Sequence, residues 1–188
     1  MRLKKLDHGL RKSVATLAAM IWTLGLHPVL GQTSEALAKA AEPGPCTSEP
    51  YRQFDFWLGD FRVENPAGTV VGENEITLHL GGCMLMESWK GASGMHGMSF
   101  NFYDPSDQTW NQVFVDNKGN PANWPPLKGK LEEDGSMVLW SPEGESRTRW
   151  TWKKVGAGKV RQMAEQTTDG GKTWRVIWDS YYVLKESD

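Results

Sequence analysis

Nine turn signals divide residues 58–184 into ten short runs, and this spacing restricts the fold more than any other feature of the chain. The signals are "NPAG", "GG", "GASG", "DPSD", "DNKGN", "EEDG", "PEGE", "GAG" and "DGG". The runs between them cover about 58–64, 69–80, 83–90, 96–103, 109–116, 125–132, 136–141, 146–155, 159–168 and 173–184. Each is rich in alternating apolar residues, the period of a strand with one face buried. No amphipathic helix of useful length interrupts them, so consecutive strands are expected to pair with their neighbours as an antiparallel meander. Ten strands in an open sheet would leave long unpaired edges, and closure into a barrel removes them. The expected fold is therefore all-β: an up-and-down barrel of about ten strands. A barrel this wide is not filled by aliphatic side chains alone and tends to keep a cavity open at one end. A two-sheet sandwich has the same period of two and is the rival architecture.

The residues ahead of the runs are of another kind. "MRLKKLDHGLRK" is basic and "SVATLAAMIWTLGL" is apolar over a length that suits a signal-peptide core and is short for a membrane span. Pro28 and Gly31 follow, so residues 1–31 read as a signal peptide cleaved after Gly31, with Ala38 and Ala40 as competing sites. An uncleaved anchor helix is the other reading. Residues 32–45, "QTSEALAKAAEPGP", read as a linker, and residues 46–188 as the barrel domain. A secreted or periplasmic location is the expectation. Without residues 1–31 the chain carries a net charge near −6 and no basic run, which argues against nucleic acid or an anionic membrane as partner. No stable membrane insertion is expected after the signal is removed. In an oxidising compartment Cys46 and Cys83 would close a disulfide between the N-terminal arm and an early strand, free thiols being the alternative.

Five further stretches stand in a fixed order: "FDFWLGDF", "GCMLMESW", "SFNFYD", "WNQVFVD" and "VRQMAEQTTDGGKTW", before a final "YYVLK". Together they resemble a family of secreted bacterial barrels, largely of unassigned function, whose first motif reads Phe-Asp-Phe-Trp-Leu-Gly-[Asp/Glu]-Trp. The resemblance covers about residues 46–185 and departs from the pattern at Phe61, which stands where the family has tryptophan. It implies a lipocalin-like barrel and no particular reaction. Phe54, Phe56, Trp57 and Phe61 are then expected to seal the closed end, with Gly59 turning the chain into the first strand. "TTDGGKTW" also matches the Asp-box of sialidase propellers, but in a single copy, and reads as a hairpin staple around Asp169.

Alternation sorts the polar residues into faces. Leu85, Glu87 and Trp89 share one face of their strand; Ser99, Asn101 and Tyr103 share another; Trp110, Gln112 and Phe114 a third. Aromatic walls with a few placed polar groups are what a ligand cavity presents. The candidate ligand-binding set is Trp89, Asn101, Tyr103, Gln112, Arg149, Gln162 and Tyr182. The structural alternative is that these groups satisfy one another in a filled barrel or point outward. Glu87, on a strand of Leu, Met and Trp, is the candidate catalytic acid or base, because desolvation would raise its pKa. A nearby Arg149 would instead make a structural pair with it. No metal-ligand spacing is present, and no cofactor is expected, heme ligation by His96 being the alternative reading.

Two classes of function fit these residues. The first is a secreted protein that binds a small hydrophobic or aromatic molecule in an internal cavity; nine tryptophans and six methionines after residue 31 supply its walls. The second is a cofactor-independent lyase, isomerase or hydratase that uses Glu87 in the same cavity. A structural or interaction role at the cell envelope is the third.

Overall fold

Ten antiparallel strands close on themselves in the order β1-β10-β9-β8-β7-β6-β5-β4-β3-β2, each paired with its sequence neighbour and β1 with β10. The computed structural model describes residues 44–119 and 123–186, all within one compact unit, Ala41–Asp188. The proposed signal peptide and most of the linker lie outside the described residues. The strands are β1 (Gly59–Glu64), β2 (Val70–His79), β3 (Met84–Gly91), β4 (His96–Asp104) and β5 (Thr109–Asp116). They continue as β6 (Leu127–Leu131), β7 (Met137–Trp140), β8 (Arg147–Gly156), β9 (Lys159–Thr167) and β10 (Arg175–Leu184). The meander expected from the turn signals is thus closed into the up-and-down barrel, and every strand boundary falls within about two residues of the expected run. Among the described residues no helix is long and apolar enough to cross a membrane.

The barrel is filled from one end by the residues that precede β1. Two short 3-10 turns, Glu49–Arg52 and Asp55–Trp57, carry Phe54 and Trp57 under the strands, where both are fully buried. Their rings stack at 5.1 Å, and Phe54 meets Trp110 and Trp152 edge-on at 5.5 and 5.3 Å. Tyr182 closes the cluster from above, in edge contact with Trp57 and Phe61. Aromatic edge and stacked pairs add to the area they bury, so the cluster both fills and fixes the lower half. Gly59 makes the turn out of it: its φ is +146°, and a Cβ there would lie 2.6 Å from the Leu184 side chain. The aromatic stretch is therefore the plug of the closed end.

A disulfide joins Cys46 to Cys83, just before β3, and holds the arm that carries the plug against the same end. The Arg52 guanidinium donates a hydrogen bond to the Gly82 carbonyl beside it. At the opposite end the Asp-box does act as a staple. Asp169 accepts from Thr173 N and Thr173 Oγ1 at 2.9 and 2.7 Å, and these bonds pull its carboxyl down to about 2. Trp174 leaves this hairpin along the outer wall and meets Trp140 edge-on at 5.9 Å.

β4 reverses the usual sorting of side chains. Gly97, Ser99 and Asn101 face inward and are buried, while Met98, Phe100 and Phe102 stand on the outer surface. The physical reason lies on the adjacent strand: Glu87 and its partners make this part of the interior polar.

Candidate functional site

Three layers follow one another along the barrel axis. Above the aromatic plug lies a layer of hydrogen-bonded polar side chains, and above that a cavity of about 500 Å³ opens at the end formed by the β3–β4, β5–β6 and β7–β8 loops. The cavity wall is largely aromatic, with Trp89, Phe114, Trp150 and Trp178 as its main surfaces. Trp89 and Trp178 meet edge-on at 5.7 Å.

The polar layer is a directed chain. Cross-strand register places Glu87 opposite Ser99 and Asn101 opposite Gln112, so alternation on three neighbouring strands brings these groups to one level. Gln112 Nε2 donates to Asn101 Oδ1 at 2.8 Å, and Asn101 Nδ2 donates to Ser99 Oγ at 2.8 Å. Ser99 Oγ in turn donates to Glu87 Oε2 at 2.6 Å. From β2, Asn74 Nδ2 donates to Glu87 Oε1 at 2.7 Å. Across the floor the Tyr182 hydroxyl donates to Gln162 Oε1. Among the described residues no lysine or arginine pairs with Glu87, so this carboxyl is buried among neutral donors.

Burial is the larger influence on Glu87 and raises its carboxyl above the ordinary 4.5; the bonds from Ser99 and Asn74 offset part of the rise. Tyr182 is pushed well above its usual range, first by burial and then by the charge of Glu87, and therefore stays neutral. The sign of the stability effect follows for Glu87. The folded protein keeps its proton at pH values where the unfolded chain has lost it, so this contribution to stability is full below 4.5 and falls as pH rises through the folded pKa. Glutamine cannot ionise. Glu87→Gln is expected to match the wild type in acid and to exceed it increasingly as pH rises above 4.5, measured as urea midpoints across pH. A difference between the two proteins that does not change with pH would refute the assignment of a raised pKa.

Five of the eight sequence candidates line the cavity: Glu87, Trp89, Gln112, Gln162 and Tyr182. The other three do not. Asn101 lies one layer down, fully buried and bonded to Ser99, Gln112 and the Leu85 carbonyl. Tyr103 sits at the plug end against Tyr51 and Trp110. Arg149 is a correction: it lies on the outer face of β8, because Trp150 and Trp152 take the inner one. Its guanidinium pairs with Glu165, directly opposite on β9, and lies over the rings of Trp140 and Trp174. The alternative of a structural Arg149–Glu87 pair is thereby excluded. His96 is exposed on the outer side of β4 and is not among the cavity-lining residues. Among the described residues no three of His, Cys, Asp and Glu come together as a metal site.

The candidate set read from sequence omits Phe114, Trp124, Trp150 and Trp178, although alternation places Phe114 on the face of Gln112. Three of these had a signal: Phe114 stands two residues from Gln112, Trp178 four from Tyr182, and Trp150 opposite the Arg147–Arg149 face. Trp124 had none, because a loop has no period. Its place at the mouth depends on Asn123, which accepts from Phe114 N at 2.6 Å and donates to the Gln112 carbonyl at 3.3 Å.

Fold and site together define a cavity-bearing up-and-down barrel, plugged at one end and floored by buried polar groups. No family model matches the chain, and a search of curated proteins returns no match.

Proposed function

We propose that the chain is a secreted or periplasmic protein that binds a small hydrophobic or aromatic molecule in the barrel, within the lipocalin-like family its motifs resemble. One observation carries this reading: the cavity of about 500 Å³ has aromatic walls and a few fixed polar groups on its floor. Ligand sites in barrels have this composition, in which apolar area supplies affinity and a few polar groups supply orientation. The disulfide supports an oxidising compartment. Binding is favoured over catalysis by the state of the polar groups. Each oxygen of Glu87 already accepts one hydrogen bond and the hydroxyl of Tyr182 is engaged by Gln162, so among the described residues of the floor no other unengaged acid or base stands beside Glu87 to complete an acid–base pair.

The test is a titration with neutral N-phenylnaphthylamine, whose fluorescence rises in apolar surroundings. Saturable binding at one site per chain is expected, together with its loss in Thr148→Trp, which fills the cavity from β8. Absence of saturable binding in the folded wild type would refute the reading. Native mass spectrometry of protein taken from its own host would then identify a co-purified ligand.

A further inference from the structure

We propose that the natural ligand is an organic cation: a hydrophobic primary or secondary amine whose ammonium group pairs with Glu87 while its apolar body lies among the tryptophans. This deepens the binding reading above and rests on it. Three observations carry it.

The first is an uncompensated acid. Glu87 is only 5% exposed, lines the cavity, and has no basic partner among the described residues. A buried carboxylate without a counter-charge is costly, and a cation arriving through the cavity would supply one. A carboxylate offers about four acceptor positions. Asn74 and Ser99 fill two, which leaves capacity for a ligand.

The second is an acceptor left without a donor in the same corner. The chain from Gln112 through Asn101 and Ser99 runs one way, every member donating toward Glu87. Beside it Asn74 Oδ1 is buried and has no hydrogen-bond partner. The buried atom left unpaired beside Glu87 is thus an acceptor, while the unpaired indole N–H groups of Trp89 and Trp178 stand on the cavity wall and are open to a polar acceptor elsewhere on the ligand. Placed against Glu87, a ligand carboxylate would add another acceptor and a quaternary ammonium no donor, whereas an ammonium that carries N–H groups supplies donors to Glu87 and Asn74 together.

The third is the wall. Trp89, Phe114, Trp150 and Trp178 surround the space above Glu87, and aromatic faces attract cations most strongly where water is excluded. The fixed charges elsewhere do not oppose a cation. The groups around Glu87 are Asn74 from β2, Ser99 from β4 and neutral Tyr182 from β10, with Gln112 and Gln162 completing the floor from β5 and β9. The remaining charged residues on the cavity wall are Asp116 and Arg147 at its mouth. Arg147 is paired with Glu143 at 2.9 Å and lies over the Trp140 ring.

Pairing with an ammonium favours the ionised form of Glu87 over the protonated form that burial favours in the empty barrel. The ligand-bound form thus has the lower Glu87 pKa, so amine affinity rises with pH up to the pKa of the free protein, and below that pKa binding releases a proton.

The experiment is calorimetric titration of the full chain with naphthylmethylamine and with its near-isostere naphthylmethanol, in two buffers of different ionisation enthalpy. The amine is expected to bind more tightly, with proton release, and to gain affinity as pH rises above 4.5. Glu87→Gln is expected to weaken the amine by about 30-fold or more, far more than it changes the alcohol, and to abolish the proton release. If the alcohol binds as tightly as the amine, the cation assignment is overturned while cavity binding stands. If neither binds, both readings fall. The proton measurement is made on the wild type and does not depend on how the variant folds.

Discussion

Trp57→Ala is expected to destabilise the barrel by about 4–5 kcal/mol, the upper part of the range for deleting a buried tryptophan. Trp57 is fully buried and in ring contact with Phe54, Trp152 and Tyr182, which are themselves fully buried. Strands hydrogen-bonded around this cluster cannot collapse into the space, because each is fixed to two neighbours. The vacated volume would therefore persist, and its cost would add to the lost transfer energy of the indole. Domains of this size have a total stability of only about 5–15 kcal/mol, so the variant stands close to the unfolding threshold. Urea unfolding followed by circular dichroism measures the effect. A loss below about 1 kcal/mol would mean that the plug does not hold the closed end.

Removing the disulfide is expected to cost nearly as much, but by a different route. Cys46 and Cys83 are separated by 37 residues, and closing a loop of that length restricts the unfolded chain by about 4 kcal/mol. The folded state loses little, since Phe54 and Trp57 remain packed in the barrel. The double variant Cys46→Ser/Cys83→Ser is therefore expected to unfold at lower urea yet bind N-phenylnaphthylamine with unchanged affinity. Trp57→Ala should differ here, because its cavity opens beneath Tyr182, which forms part of the floor of the binding site. Loss of dye binding in the cysteine variant under conditions where it is folded would show that the bridge shapes the cavity itself.

The strands were legible because turns are a local matter. Gly, Asn, Asp and Pro bend the backbone wherever they cluster, and the signals from "NPAG" to "DGG" sit between the strands they were expected to separate. The aromatic plug was legible for a related reason. Four large apolar side chains next to a glycine, ahead of the first strand, have few places to go in a closed sheet. The direction of the faces was not legible. On β4 one face is Met98, Phe100 and Phe102 and the other is Gly97, Ser99 and Asn101, so hydropathy alone would put the phenylalanines inside. The fold does the reverse because Ser99 lies opposite Glu87 and Asn101 opposite Gln112, and these groups satisfy one another only when they face the same interior. Arg149 shows the same limit on β8: two tryptophans on one face outweigh two arginines on the other, and the arginines find Glu165, Glu143 and Trp140 outside.

By itself the sequence determined the number of strands, their order, the antiparallel meander and the plug, all of which depend on residues near one another in the chain. Closure decided the rest. Only when β1 met β10 did each strand acquire an inside, and with it the layer that joins Asn74, Glu87, Ser99, Asn101 and Gln112 from four strands. An acid buried without a basic partner is a relation between distant segments, fixed by register and curvature, and no single stretch of the chain contains it.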